Sequence, residues 1–183
     1  MFFARWRARR ANRILIDQIH GEIVAAARAP ALFARWGVPD DLDGRFEMVT
    51  LHAGLVLGRL GDLGESAAQI AQDVVDSVFL GFDDALREMA ISDAGVARRM
   101  KTMAGAFFGR SKVYSEAIRA RDPAALAAAL ARNVYRKSNP ADAPHAPELA
   151  NYVLATSDAL SREPLEVFAE GRFHFPAAWG GET

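Results

Sequence analysis

Residues Gly44–Leu60, GRFEMVTLHAGLVLGRL, are almost all apolar, yet Glu47, Thr50, His52 and Arg59 stand among them. Here and along most of the chain apolar residues recur at spacings of three and four. Strand-like alternation is hard to find before RFHFP at Arg172–Pro176. The chain therefore reads as an all-α protein. Its 183 residues and 51% hydrophobic content suffice for one core. A single compact domain of about six to eight helices is expected, ending in an extended tail over residues 172–183.

The first helix is expected from within the arginine-rich start to about Arg28, burying Leu15, Ile19, Ile23 and Ala27. Pro30 then opens a short helix or turn closed by Gly37. A second long helix runs from about Asp43 to Leu60, where Gly61 and Gly64 break it, and a third from about Glu65 to Ala90. Ser92 or Asp93 caps a fourth, in which Met100, Phe107 and Tyr114 stand seven apart and keep phase through Gly109 to about Arg121. Asp122 and Pro123 supply an N-cap and a first-turn proline for the alanine-rich segment after them. Beyond the loop SNPADAPHAPE, Pro147 starts a helix to about Leu160, a short one spans Leu165 to Ala169, and Gly171 releases the tail.

Absence of cysteine excludes disulfides, thiolate nucleophiles and cysteine-ligated metals. The net charge of −1 gives no global pull toward DNA or a membrane, so any electrostatic function must come from local asymmetry. No window approaches the ~18 uncharged apolar residues of a membrane span. Residues 1–13 form one such asymmetry: Arg5, Arg7, Arg9, Arg10 and Arg13, with no acid, interleave with Phe2, Phe3 and Trp6. No signal-type apolar run follows, so the segment is expected to be retained. It suits anionic lipid headgroups or ribosomal RNA, the other reading being the solvated start of the first helix.

Glu47 and His52 would lie about 140° apart around one helix and cannot chelate the same ion. No Glu-x-x-His or His-Glu-x-x-His spacing occurs, so neither a metal nor a cofactor is expected. Glu47, Gly54 and Gly58 share an arc of about 40°, a small-residue groove that fits a closely packed neighbouring helix or a partner helix. His52 reads as a buried histidine with a satisfied hydrogen bond. Asp62–Asp93 holds eight acids against Arg87, and Val96–Arg121 holds seven bases against Glu116. An antiparallel helix pair with attracting faces is expected from this, the other reading being a dipolar surface that steers a partner, with Leu80 an apolar exception on the acidic arc. Arg110 lies about 60° from the buried stripe and should bridge to Asp84 or Glu88. An enzyme or ligand carrier, the alternative to a binding protein, would draw Glu47, His52, Arg110 and Tyr114 into one pocket.

Four segments in order, GRFEMVTLHAGLVLGRL, AQDVVDSVFLGFDDALREMAISD, MKTMAGAFFGRSKVYSEAI and DPAALAAALARNVY, resemble the ubiquinol–cytochrome c chaperone family, assembly factors of the respiratory cytochrome bc1 complex. The resemblance covers Val38 to Tyr135. It implies a non-enzymatic helical chaperone that engages newly made cytochrome b or a similar membrane subunit, in mitochondria with a small partner protein and near the ribosomal exit tunnel. The partner-binding positions it implies are Arg45, Glu47, His52, Asp84, Arg87, Glu88, Arg110, Tyr114 and Asn133, to which the charge pattern adds Leu80. A start without organelle-type transit character points to a bacterial member, cytoplasmic and peripheral to the inner membrane, and leaves the small partner protein open.

Overall fold

The long apolar stretch is helix α3 (Leu42–Asp62) in the computed structural model, which describes residues 2–175 and their side chains from Asn12 onward. Its start is fixed locally. The Asp41 carboxylate accepts the Gly44 N–H at 2.8 Å, an N-cap that satisfies one of the free donors of the first turn. Gly44 has no substitute at this bend, because a Cβ there would run into the Pro39 carbonyl oxygen. Gly61 does not break the helix as expected. A helical glycine costs only about 1 kcal/mol, and the buried Leu60 beside it holds the last turn against the core. The stop comes at Gly64, at φ 74°, where a 3₁₀ turn over Gly64–Ala67 redirects the chain.

Around α3 are α1 (Phe2–Ala27), the short α2 (Pro30–Ala34), α4 (Ala68–Glu88), α5 (Asp93–Arg119), α6 (Pro123–Asn133), α7 (Ala146–Leu160) and α8 (Leu165–Ala169). The described residues contain no strand, and no helix among them is long and apolar enough to cross a membrane. The hub is α3, which packs against α1, α4, α5 and α7, while α6 pairs with α7. Ser92 caps α5 and Asp122 caps α6, each accepting a backbone N–H three residues on. Helix α5 runs unbroken through Gly109, with Phe107 and Tyr114 buried on its inner face.

The oppositely charged helices α4 and α5 do not meet through their opposite faces. The ion pair that joins them sets Arg87, the one base of the acidic run, 2.6 Å from Asp93 at the start of α5, while a second 2.6 Å contact ties Arg87 to Asp83. At the carboxy-terminal side, residues 172–175 have no regular structure and are strapped onto α1. Glu22 accepts the Phe175 N–H at 3.2 Å and faces His174 Nδ1 at 3.0 Å, and Phe173 stacks on Phe168 with centroids 5.0 Å apart. The expected tail beyond Phe175, and the side chains of Phe2, Phe3, Arg5, Trp6, Arg7, Arg9 and Arg10, lie outside the described residues. Arg13 is exposed, 3.9 Å from Asp17.

The close approach at Pro39 gives a direct test. Gly44→Ala should destabilise the protein by about 1–3 kcal/mol through overpacking against a fixed backbone, with a lowered urea midpoint and an unchanged slope.

Candidate functional site

Helices α3, α5 and α6 converge where the carboxylate of Glu47 meets Arg110. The contact is 2.6 Å from Arg110 Nη2 to Glu47 Oε1; Glu47 is 3% exposed while the Arg110 side chain is 25% exposed, so the carboxylate is withdrawn from water and the guanidinium is only partly so. The guanidinium also lies over the Phe46 ring, 5.6 Å from its centroid. Phe46 in turn contacts Phe82 of α4 at 5.1 Å, which anchors the pair to the aromatic core. Arg110 therefore reaches α3 and not Asp84 or Glu88, both of which are exposed on α4. The reason is rotational: α5 lays the row that continues Phe107 and Tyr114 against α3, and Arg110 beside that row is carried to the same neighbour.

Beneath the pair sits an unusual concentration of buried polar atoms. Glu47 Oε2, Thr50 Oγ1, Arg110 Nε, Ser111 Oγ and Tyr114 Oη have no well-aligned hydrogen-bond partner, whereas most buried polar atoms in proteins are bonded. Burial dominates the titration of the two acids here. It pushes the Glu47 carboxyl up to about 7 even though the Arg110 charge works against it. It also raises the Tyr114 phenol, with the Glu47 charge adding to the rise and Asn133 of α6 holding part of it back. The small-residue arc of α3 is covered by α5 at one glycine only: Ser111 Oγ is 3.5 Å from where a Cβ of Gly54 would lie, while a Cβ at Gly58 would meet open space in a small cavity between α3 and α5.

Above the pair opens a groove of about 690 Å³. On its α5 wall Arg99, Met103, Ala106 and Arg110 recur on one helical face, with Arg98 and Thr102 in the next row. Leu42, Asp43 and Phe46 form the α3 wall, and Asn133 and Arg136 close the α6 end. Arg136 adopts a left-handed conformation, φ 57°, just past α6. From there its guanidinium reaches Asp41 at 2.6 Å and Asp43 at 3.7 Å, tying the end of α6 to the start of α3. The Gly44 N–H and Arg136 together hold the Asp41 carboxyl below its ordinary range.

Of the residues read from the sequence, Glu47, Arg110, Tyr114 and Asn133 come together here. His52 does not, so the four-residue pocket of the enzymatic alternative is not formed. On the far side of α3 it is fully buried, with Nδ1–H donating to the Met48 carbonyl at 2.8 Å and Nε2 accepting from Tyr152 Oη at 2.8 Å. Burial lowers its pKa to about 4, so it is a neutral structural imidazole. Arg45 points outward to Asp40 at 2.7 Å, and Leu80, Asp84, Arg87 and Glu88 lie exposed on α4. Among the described residues no cluster of histidine, aspartate or glutamate could hold a metal ion. The sequence reading missed Asp41, Arg98, Arg99 and Arg136 as parts of this site. The face from Arg99 to Arg110 was readable from its spacing, but the contribution of Arg136 depends on one backbone angle.

Removing Arg110 takes away the counter-charge of a carboxyl that already titrates near 7, so Glu47 should take up a proton, and Arg110→Ala should cost about 1–2 kcal/mol at pH 8 and less at lower pH. Comparing urea midpoints at two pH values checks both halves of that expectation. The two buried titrating groups should also oppose one another. With its raised pKa, Glu47 contributes stability that is complete below pH 4.5 and is lost as pH rises toward 7, whereas His52, lowered from 6.5, contributes stability that is complete above 6.5 and is lost as pH falls toward 4. The intact protein is expected to have a shallow profile. Glu47→Gln leaves only the histidine limb, so its stability should drop by on the order of 2–3 kcal/mol from pH 6.5 to 4.5.

Comparison with known proteins gives this arrangement a family. The Ubiquinol-cytochrome C chaperone family matches residues 34–175. The crystal structure of the Cbp3 homolog from Brucella abortus superposes with a TM-score of 0.85 at 37% sequence identity, covering 97% of this chain and 98% of that one. No curated protein matches significantly. With most of its length inside the family match and a closely similar relative over nearly all of it, the chain belongs to the ubiquinol–cytochrome c chaperone family.

Proposed function

We propose that this chain is a non-enzymatic assembly chaperone of the respiratory cytochrome bc1 complex, and that its client is newly made cytochrome b or a similar membrane subunit. The observation that carries this reading is the family match across residues 34–175, supported by the likeness to the Cbp3 homologue. The groove between α3 and α5 is the surface we assign to the client. Its walls offer Leu42, Phe46, Met103 and Ala106 between charged rims. A membrane segment without its partners needs apolar cover with side chains that adapt, for which a thioether is well suited. Phe108, 55% exposed and stacked on Phe79 at 6.0 Å, adds apolar surface elsewhere on α5. In this proposal the protein works in the cytoplasm at the periphery of the inner membrane, with residues 1–13 as the contact to lipid or ribosome.

Affinity-tagged protein isolated shortly after a pulse of protein synthesis is expected to carry labelled cytochrome b, and cells lacking the gene should lose most of their bc1 absorbance. Recovery of no bc1 subunit, with bc1 absorbance unchanged in the deletion, would refute the proposal.

A further inference from the structure

The charges around the groove do not cancel evenly. Arg136 is engaged by Asp41 and Asp43, and Arg110 by Glu47. That leaves Arg98 and Arg99, both exposed on the α5 wall, with no ion-pair partner among the described residues. At the floor, Arg110 Nε is a buried donor and Glu47, 3% exposed, carries a buried oxygen, neither with a partner. One wall thus presents positive charge without an ion-pair partner among the described residues, and Phe46, Met103 and Ala106 make the surface beside it apolar.

We propose that the groove selects a polypeptide segment that carries a carboxylate side chain within an apolar stretch, the carboxylate being held by Arg98 and Arg99 above the Glu47–Arg110 pair. The inference rests on the groove being the client site, and it names the chemistry of the segment bound there. A guanidinium fork matches a carboxylate in shape as well as charge. The acids already at the groove do not oppose such a guest strongly, since Asp41, Asp43 and Glu47 each have a guanidinium beside them. An acidic residue in an otherwise apolar segment is costly to leave uncovered by either water or partner. A site joining an apolar wall to two unpaired arginines answers both needs of that segment. A lipid headgroup would satisfy the arginines but gives the Phe46 and Met103 wall no side chains of matching size, so a peptide is the better occupant.

The test uses the purified full-length chain and three labelled leucine- and alanine-rich helical peptides that differ only in a central glutamate, glutamine or lysine. The glutamate peptide should bind roughly tenfold more tightly than the glutamine one, the gain of one charge-assisted contact, and more weakly as salt rises. Arg98→Glu with Arg99→Glu, both surface changes that leave the core untouched, should abolish that preference and turn it toward the lysine peptide. Equal binding of the glutamate and glutamine peptides, or no peptide binding at all, overturns the inference. So does loss of binding to phosphatidylglycerol vesicles in the double variant with peptide binding intact, which would assign the arginines to lipid. Self-association of the chain that depends on Arg98 and Arg99 would overturn it in favour of a second copy. Cytochrome b recovered from cells together with equal peptide affinities would leave the chaperone reading standing and the carboxylate rule refuted.

Discussion

The ion pair between Glu47 and Arg110 sets how α3, α5 and α6 meet, because a carboxylate buried that far requires its guanidinium, and the guanidinium requires α5 in one rotation. Once α5 is turned so that Arg110 reaches Glu47, Phe107 faces the aromatic core and meets Phe79 at 5.3 Å, Tyr114 enters the junction, and Met103 and Ala106 are left along the groove. Well-packed apolar residues in place of the pair would hold three helices together at least as firmly. What the ionic version adds is orientation, and a set of buried polar atoms whose bonding is incomplete within the chain.

A second tie works at the rim. Asp41 caps α3, so its position is fixed by a local backbone bond to Gly44, three residues on. Arg136 then docks on that preplaced carboxylate from an unfavourable backbone conformation. The groove is bounded by two guanidinium–carboxylate contacts of different character, one with its carboxylate buried and one solvated, and the apolar strip lies between them.

Local chemistry made most of the fold legible. The caps at Ser92 and Asp122, the proline at 123 and the unbroken phase of α5 all depend on neighbours within one turn, and each stands where the spacing put it. Gly61 was misread because its effect is decided by Leu60 entering a core that periodicity does not locate in space. For the site, helix geometry separated Glu47 from His52, and a resemblance singled out Arg110, Tyr114 and Asn133. The partner of Arg110 was out of reach, since adjacency in sequence favours the acids of α4, while packing brings α5 against α3. Arg98 and Arg99 looked like part of a solvated basic face, and only the groove beside them distinguishes them from Lys101 or Lys112.

The placement of α3 at the hub has a consequence for how the chain emerges during synthesis. Its contacts with α1 and α4 lie wholly within the first half of the sequence, whereas those with α5 and α7 come from the second half. All of α1, α3 and α4 is therefore available to pack in the growing chain before α5, which covers the face of α3 that carries Glu47 and Gly54, has been made. Arrival of α5 closes the face, strips the carboxylate of water and supplies its guanidinium in the same movement. The groove comes into being only at that step, so a nascent copy of this protein lacks it until its own second half has docked.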